Sequence, residues 1–292
     1  FAYVVNQVCG SGMRATMDGS SKIYSGESDL LIVGGQESMS RARHTYLSRT
    51  GEKKLGNNVF IDTLVNDGLT DAFSKEHMGI TAENVSRRYT VTRQDQDQFA
   101  FQSYLKTYKA IKNNYFKNEL MKSPYKDEVR KDTTLVKLGQ LKAVFKKSGT
   151  VTAGNASSLN DGASFIALAS ENYINSNKIK PIAKILSWAS SAGNPDYMGV
   201  TPITAIQKLM KKMGVNIGYF DLVEINEAFA ATSVAVQRSL KIDPNKLNIA
   251  GGAIALGHPI GCSGARIVTT LAHQLRRTKQ KVGVASMCIG GG

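Results

Sequence analysis

Cysteine and proline are scarce in this chain, and long apolar runs are absent from it. Three cysteines among 292 residues are an odd and sparse count, which argues against a disulfide framework and favours a reducing compartment. No CxxC pair or histidine-rich spacing occurs, so we expect no metal site. No segment has the length of a membrane span or the pattern of a signal peptide, so we expect no membrane association. A hydrophobic fraction of 42% with 27 glycines is typical of a globular α/β protein.

Basic residues outnumber acidic ones and give a net charge of +14. The lysines are dispersed and no nucleic-acid-binding module is recognisable, so we expect no nucleic acid partner. Most of this charge fits a lysine-rich composition that covers exposed faces. We expect a few of the basic residues to attract an anionic small molecule.

Two of the cysteines, Cys9 and Cys288, occur in matching contexts. Each follows an apolar, strand-like run and is followed by glycines. This order predicts a thiol at the carboxyl end of a buried strand, where open α/β sheets hold their active sites. A single cysteine of this kind usually serves only packing, as we expect for Cys262. The repeated context instead favours a thiol enzyme, with one sulfur as nucleophile and the other as acid and base.

His258 and Asn226 are the next candidates. His258 lies in a turn between two glycines and before Pro259. Alone it is better explained by a structural role, but beside two thiols it is the natural base, and we expect it to lower the pKa of a cysteine. Asn226 ends a predicted strand, and its amide suits either the adjacent backbone or a catalytic water.

The chain contains a faint internal duplication. Moving Ser11–Arg14 forward by 252 positions gives Ser263–Arg266, and the same shift carries Leu30–Val33 onto Val282–Ala285. This predicts two related halves with helices that connect parallel strands.

Residues 40–159 differ from both halves. Residues 41–58 are polar and basic and predict an extended loop. Thr92 predicts a helix N-cap. The apolar face predicted for that helix consists of Phe101, Tyr104, Leu105, Tyr108 and Ile111. Beyond this insertion we predict strands at 163–170, 182–189, 220–225 and 248–255, and helices at 201–214 and 227–240.

The sequence resembles the thiolases, specifically acetyl-CoA acetyltransferases. The resemblance covers the whole chain and is carried by motifs in the family's order, namely NQVCGSGMRA, TAGNASSLNDGA, NEAFA, GGAIALGHPIGCSGARI and CIGGG. It implies a thiolase fold, in which two related α/β halves form a five-layered α-β-α-β-α arrangement with an inserted loop domain. It also implies that the family's strands and helices before Phe1, and its last strand after Gly292, are missing here.

The resemblance assigns domains and catalytic roles. Residues 1–39 and 160–181 match the N-terminal half, 40–159 the loop domain that covers coenzyme A, and 182–292 the C-terminal half. Cys9 matches the acylated nucleophile, His258 its activating base, and Cys288 the acid and base. Asn226 matches the residue that holds a water in one oxyanion hole, and Gly290 supplies a backbone N–H to the other.

The resemblance also assigns contacts to coenzyme A. The matching positions are Leu69, His77, Met78, Arg130, Phe145, Ala153, Ser157, Ala228 and Phe229. The permanent planar charge of Arg130 suits a phosphate or the adenine ring, although an exposed arginine needs no such role.

The expected function is reversible condensation of two acetyl-CoA to acetoacetyl-CoA and coenzyme A through an acyl-cysteine, with no permanently bound cofactor. The alternatives are a broader-chain 3-ketoacyl-CoA thiolase and a non-catalytic thiolase-like fragment. A β-ketoacyl synthase fits less well, because that branch pairs its cysteine with histidines. The family implies lipid metabolism and a homo-oligomer, either a dimer or a tetramer with contacts from the loop at 41–58. The cytoplasm is the expected compartment, with the mitochondrion as alternative.

Overall fold

The computed structural model of the protein describes residues 2–46, 55–121 and 127–292. The α-helices are α1 (Ser11–Tyr24), α2 (Met78–Arg88), α3 (Arg93–Lys112), α4 (Leu135–Gly139), α5 (Glu171–Ser176), α6 (Thr201–Met213), α7 (Ala230–Leu240), α8 (Ala253–Leu256) and α9 (Ile260–Thr278). The strands are β1 (Leu30–Ser38), β2 (His44–Thr45), β3 (Ile61–Asp62), β4 (Asp161–Ala169), β5 (Leu222–Ile225) and β6 (Gly283–Ser286). No helix among the described residues has both the length and the apolarity that a membrane span needs.

The two principal strand pairs lie on opposite sides of a helical layer. β1 and β4 pair antiparallel from Leu30–Ala169 to Ser38–Asp161. β5 and β6 pair in parallel. Helices α1 and α9 lie between these pairs, and α9 contacts strands of both. The largest apolar core joins β5 and β6 to α6 and α7. The parallel strands predicted for each half are found in the β5–β6 pair, but the prediction is wrong for the antiparallel β1–β4 pair. The outer face of the β1–β4 pair exposes Ile32 and Phe165.

The internal duplication agrees with these elements. Ser11–Arg14 begins α1, and Ser263–Arg266 lies in the first turns of α9. Likewise, Leu30–Val33 begins β1 and Val282–Ala285 falls on β6. The same helix-then-strand order therefore occurs twice.

Glycines bring α1, α9 and β1 into backbone contact. A methyl group built on Gly12 would lie 2.8 Å from the Ala265 nitrogen, and one on Gly264 would lie 2.3 Å from the Met13 nitrogen. A methyl on Gly35 would lie 1.9 Å from the carbonyl oxygen of Gly261. Because a side chain at any of these positions would overlap backbone, the glycines set the spacing of the central layer.

The predicted cap of α3 is confirmed, but most of its predicted apolar face is wrong. Thr92 and Asp95 form a capping box. Tyr104 is buried and Phe101 partly so, whereas Leu105, Tyr108 and Ile111 are exposed. The buried side instead carries small and polar residues, namely Gln96, Ala100, Ser103, Thr107 and Ala110.

The reason is close approach of α3 to a glycine turn. A methyl on Gly251 would lie 1.9 Å from Thr107 Oγ1 and 2.7 Å from the Ser103 carbonyl oxygen. Only small side chains fit between elements at that distance, so hydrophobic periodicity points to the wrong side of the helix.

Two predicted strands are also wrong, because neither 182–189 nor 248–255 forms a strand. Residues 182–189 form no strand, and their side chains line a groove of about 580 Å³ against β6. Residues 253–255 lie in α8, because the Glu227 carboxylate accepts the Ile254 N–H at 3.1 Å and turns the chain. The helix predicted from residue 227 begins later, at Ala230. The 41–58 loop includes β2, and its residues 47–54 lie outside the described residues.

Substitution of Gly264 by alanine should destabilise the protein. The added methyl overlaps the α1 backbone, and overpacking of this kind costs about 1–3 kcal/mol. Gly139→Ala is the matched control, since a methyl there meets no atom within 4 Å. Urea unfolding should show a loss for Gly264→Ala and no loss, or a small gain, for Gly139→Ala. Equal stability of Gly264→Ala and the parent would show that the helices do not need this contact.

Candidate active site

Cys9 lies in a strained turn just before α1. The buried strand predicted to precede it is wrong, because residues 2–7 form no strand and Val4 is exposed. The residue before Cys9, Val8, has φ +48°, a left-handed conformation that is uncommon for a β-branched side chain. Ser11 stabilises the turn, because its hydroxyl donates to the Val8 carbonyl at 2.7 Å and accepts the Gln7 N–H at 2.9 Å. Strain held in this way fixes the direction of the thiol.

The thiol of Cys9 is buried among apolar side chains that include Met39, Ile260 and Met287. Burial raises its pKa to about 11, although hydrogen bonds from the backbone N–H of Gly290 and of Cys9 itself oppose the rise. The negative charge of Glu37 raises the pKa further. The two N–H groups that approach Sγ belong to the residues predicted to form an oxyanion hole.

Cys288 follows β6, and the next residue, Ile289, packs against Gly10 beside Cys9. Cys288 itself packs with Met78, Met198 and Ala228. Burial raises its pKa to about 12, and the neighbouring Cys9 adds to the rise. The structure therefore brings together two thiols from opposite ends of the sequence.

His258 and Asn226 form a second buried pair. The amide nitrogen of Asn226 lies 3.3 Å from His258 Nε2 and 3.5 Å from Nδ1. Asn226 follows β5, and the backbone N–H of His258 donates to the Ser158 carbonyl at 3.1 Å. Burial lowers the pKa of His258 to about 4, and the positive charge of Arg266 contributes. The carbonyl oxygen of the Asn226 side chain is buried and has no hydrogen-bond partner among the described residues, which suits a bound water.

The resting charges differ from the sequence prediction. We expected His258 to lower the pKa of a cysteine, but burial raises the pKa of Cys9 and lowers that of His258. Between roughly pH 4 and 11 the pair is therefore a neutral thiol and a neutral imidazole. A thiolate forms only when the proton of Cys9 is transferred.

Most of the predicted coenzyme A contacts form one wall beside Cys288. The rings of His77 and Phe145 stack with centroids 4.7 Å apart, and Phe229 meets Phe145 edge-on at 6.2 Å. The Met78 N–H donates to the Leu69 carbonyl at 2.8 Å.

On the far side of this wall, the Ser157 hydroxyl donates to the Ala228 carbonyl at 3.0 Å. Burial lowers the pKa of His77, so this ring is neutral at pH 7. The result is an apolar surface with few polar groups, as expected where a ligand's chain binds.

Arg130 and Ala153 are not part of this wall. Both are exposed in the described structure. Arg130 lies near Tyr104, whose pKa burial raises and the arginine's charge lowers. Ala153 lies in the turn that packs on α4 through Gly154. Because Arg130 is exposed and lies outside the apolar wall, its charge suits a charged part of a ligand.

Sequence reasoning missed two residues that support the site. Ser263 Oγ lies 2.5 Å from His258 Nδ1. Glu37 accepts the Gly261 N–H at 3.0 Å and so caps the beginning of α9. For Ser263, its position only five residues after His258 in the sequence could have indicated the contact. No signal near residue 261 points to Glu37, because its contact depends on the fold. Among the described residues, no group of acidic, histidine and cysteine side chains could hold a metal.

Comparison with known proteins gives a consistent result. The family model for the thiolase N-terminal domain matches residues 1–172, and that for the C-terminal domain matches residues 179–292. An acetyl-CoA acetyltransferase of Rhizobium meliloti is 45% identical, with 100% of this chain and 77% of the relative covered.

Two solved structures are similar over 99% of this chain. The Bacillus anthracis acetyl-CoA acetyltransferase is 38% identical with a TM-score of 0.94, and 76% of it is covered. Human mitochondrial 3-ketoacyl-CoA thiolase in complex with CoA is 40% identical with a TM-score of 0.93, and 75% of it is covered.

Replacement of His258 by alanine should slow alkylation of Cys9 by iodoacetamide. In the parent, the neutral imidazole accepts the thiol proton, so the rate should change little between about pH 5.5 and 8.5. In His258→Ala the rate at pH 7 should fall at least roughly tenfold and then rise about tenfold per pH unit. Peptide mass spectrometry follows Cys9 separately from the other thiols.

His273→Ala is the matched control, because His273 is a second histidine with a lowered pKa and lies further along α9. It should alkylate like the parent. A His258→Ala rate equal to that of the parent would remove His258 as the base.

Proposed function

The chain belongs to the thiolase family of acyltransferases, and we propose that it is an acetyl-CoA C-acetyltransferase that uses Cys9 as its nucleophile. It joins two acetyl-CoA into acetoacetyl-CoA and coenzyme A, reversibly. The observation that carries this proposal is the pairing of the two cysteine turns, because a methyl on Gly10 would lie 2.6 Å from Ile289 Cγ2, so the residues that follow Cys9 and Cys288 touch, and both thiols are buried. Acyl transfer and proton transfer need separate groups within one site, and this pairing supplies both.

In the first half-reaction, Cys9 Sγ attacks the thioester carbonyl while its proton passes to His258. The negative charge that develops on the carbonyl oxygen is stabilised by hydrogen-bond donors, for which we propose the backbone N–H groups of Cys9 and Gly290. The bond to coenzyme A then breaks, and Cys288 donates a proton to the departing thiolate. The products are acetyl-Cys9 and free coenzyme A.

In the second half-reaction, the Cys288 thiolate removes a proton from the methyl group of another acetyl-CoA. Its raised pKa makes it a stronger base than an ordinary thiolate, which suits so weak a carbon acid. The carbanion attacks acetyl-Cys9, and the released Cys9 thiolate takes back a proton from His258. We propose that the enolate oxygen is held by His258 Nε2 and by a water on Asn226.

The wall of Leu69, His77, Met78, Phe145, Ser157, Ala228 and Phe229 would bind the pantetheine chain. Its stacked and edge-on rings offer an apolar surface to that chain, and CoA is present in one of the similar structures. We propose that Arg130 and Ala153 lie toward the nucleotide end. Exposure leaves the guanidinium of Arg130 free to meet phosphate.

We propose that residues 40–159 form the loop domain that covers coenzyme A. Residues 1–39 with 160–181, and residues 182–292, then form the N-terminal and C-terminal halves. The strands that flank the insertion support this division, because Ser38 at the end of β1 lies opposite Asp161 at the start of β4. The insertion therefore leaves and returns at one edge.

We propose that the protein is a homo-oligomer, either a dimer or a tetramer, and acts in lipid metabolism in the cytoplasm, with the mitochondrion as alternative. Exposed apolar side chains such as Val4 and Ile32 support self-association. The three free cysteines fit a reducing compartment. Sedimentation analysis and cell fractionation test these assignments.

A broader-chain 3-ketoacyl-CoA thiolase is the second candidate, because one of the similar structures carries that name. The ratio of kcat/KM for acetoacetyl-CoA to that for a longer 3-ketoacyl-CoA separates the two. A clear preference for the longer substrate would favour the second.

Substitution of each thiol should separate their roles. Cys9→Ala should abolish every step, because no acyl-enzyme can form. Cys288→Ala should still permit slow acetylation of Cys9, but condensation should fall by about 10² to 10⁴ or more, because removal of the methyl proton needs a positioned base. Mass spectrometry after addition of acetyl-CoA and exchange of its methyl protons with solvent measure the two steps.

Cys262→Ala is the matched control, since Cys262 is a third buried thiol and packs against Gly162. It should acetylate and condense like the parent. An acetyl group on Cys288 in Cys9→Ala, or undiminished exchange in Cys288→Ala, would overturn the assignment. If neither the parent nor any variant acquired an acetyl group, the proposal that the chain is an acyltransferase would be refuted.

Replacement of Arg130 by alanine should raise KM for acetyl-CoA more than it lowers kcat. The reason is loss of a screened attraction to phosphate, so added salt should raise KM of the parent and have less effect on the variant. Lys211→Ala is the control, because Lys211 is an exposed cation on α6 in the other half. If salt changed neither KM nor kcat of the parent, the +14 charge would be a matter of composition alone. An equal, non-zero salt dependence in the parent and Arg130→Ala would remove Arg130 as its source.

A further inference from the structure

We propose that Ser263 is a positioning residue that fixes the tautomer of His258, so that Nδ1 carries the ring proton and Nε2 is the proton acceptor. The catalytic use of this tautomer rests on the proposed function, but the tautomer itself does not. Ser263 is fully buried in the first turn of α9 and has no part in the thiol chemistry described above.

The hydrogen bonds of Ser263 carry the argument. A hydroxyl group has one proton to donate. Ser263 Oγ lies 2.9 Å from the Pro259 carbonyl oxygen, which can only accept. That oxygen also accepts the backbone N–H groups of Cys262 and Ser263 and so faces this turn. With its proton on Pro259, the Ser263 oxygen must accept at 2.5 Å from His258 Nδ1, which places the ring proton there.

The contact of the ring with Asn226 also favours a proton on Nδ1. The Asn226 amide nitrogen is a donor, and it lies nearer to Nε2 than to Nδ1. If Nε2 carried the proton, two donors would face each other in a buried site. The Nδ1-protonated tautomer instead presents an N–H to the Ser263 oxygen and a lone pair to the Asn226 amide.

The backbone around Ser263 is held by contacts outside α9. Glu37 accepts the Gly261 N–H, and a methyl on Gly261 would lie 2.7 Å from the carbonyl oxygen of Gln36. The turn that carries Pro259 and Ser263 is therefore held against β1, while the backbone N–H of His258 is bonded to Ser158. A rigid acceptor beside Nδ1 holds the ring proton there and so leaves Nε2 unprotonated.

The experiment measures the tautomer directly. The chain has four histidines, so protein labelled with ¹⁵N-histidine gives a resolvable set of ring signals in long-range ¹H–¹⁵N spectra. His258→Gln assigns the signal of His258. In the parent at pH 7, Nδ1 should be protonated and Nε2 unprotonated. A parent spectrum with the proton on Nε2 would overturn the proposal without any variant.

Variants then test whether Ser263 is the cause. Ser263→Ala should lose the Nδ1 preference, and iodoacetamide labelling of Cys9 should fall by roughly ten- to a hundredfold, with KM for acetyl-CoA little changed. Ser263→Thr keeps a hydroxyl and should retain the parent tautomer. Ser233→Ala is the matched control, since Ser233 is also buried, lies on α7, and its hydroxyl has no partner among the described residues.

The outcomes separate this inference from the proposed function. A parent tautomer that persists unchanged in Ser263→Ala would show that Ser263 does not set it. Loss of the tautomer in Ser263→Ala from a protein that does not turn over acetyl-CoA would support the positioning role and refute the function. An equal loss of the Nδ1 preference in Ser233→Ala would mean that general destabilisation, and not the Ser263 hydrogen bond, causes the effect.

Discussion

The site depends on the backbone contact between α1 and α9. Gly12 and Gly264 let these helices approach until no side chain separates them. The turn that carries Cys9 begins one helix, and the turn that carries His258 begins the other. Because each reactive residue lies two positions before the first residue of a helix, the helix spacing constrains the spacing of the reactive groups. Gly35 extends the same contact to β1, so strand and helices act as one rigid support.

Burial determines the charge states of Cys9 and His258. An ion pair between Cys9 and His258 would need two charges without water, and the raised and lowered pKa values show that the neutral pair is favoured instead. In the proposed mechanism, negative charge therefore develops only during attack by Cys9. We propose that the Gly290 N–H stabilises this charge without reorganisation.

In the proposed function, the inserted residues supply binding rather than chemistry. His77 and Phe145 come from separate parts of the insertion, and their stacking joins them to Phe229 of the C-terminal half. The same insertion carries much of the exposed positive charge, of which Arg130 is an example. An apolar wall beside Cys288 and cations further out match the two ends of an acyl-CoA molecule, which is apolar at the thioester and anionic at the nucleotide.

Local patterns in the sequence determined the short-range features. Thr92 as a cap, the strands that lead to Asn226 and Cys288, and the duplicated helix-then-strand order all follow from neighbouring residues, and the structure agrees with them. Thiolase membership also follows from the motifs alone.

The tertiary structure decided what depends on distant contacts. The buried side of α3 faces a glycine turn more than a hundred positions away in the chain, and Ser263 and Glu37 gain their roles only from what lies beside them. Residues 182–189 have a strand pattern yet form no strand, because a strand needs a partner and pattern alone does not supply one. The pKa values belong to the same class, since desolvation is a property of the folded surroundings and not of the residue type.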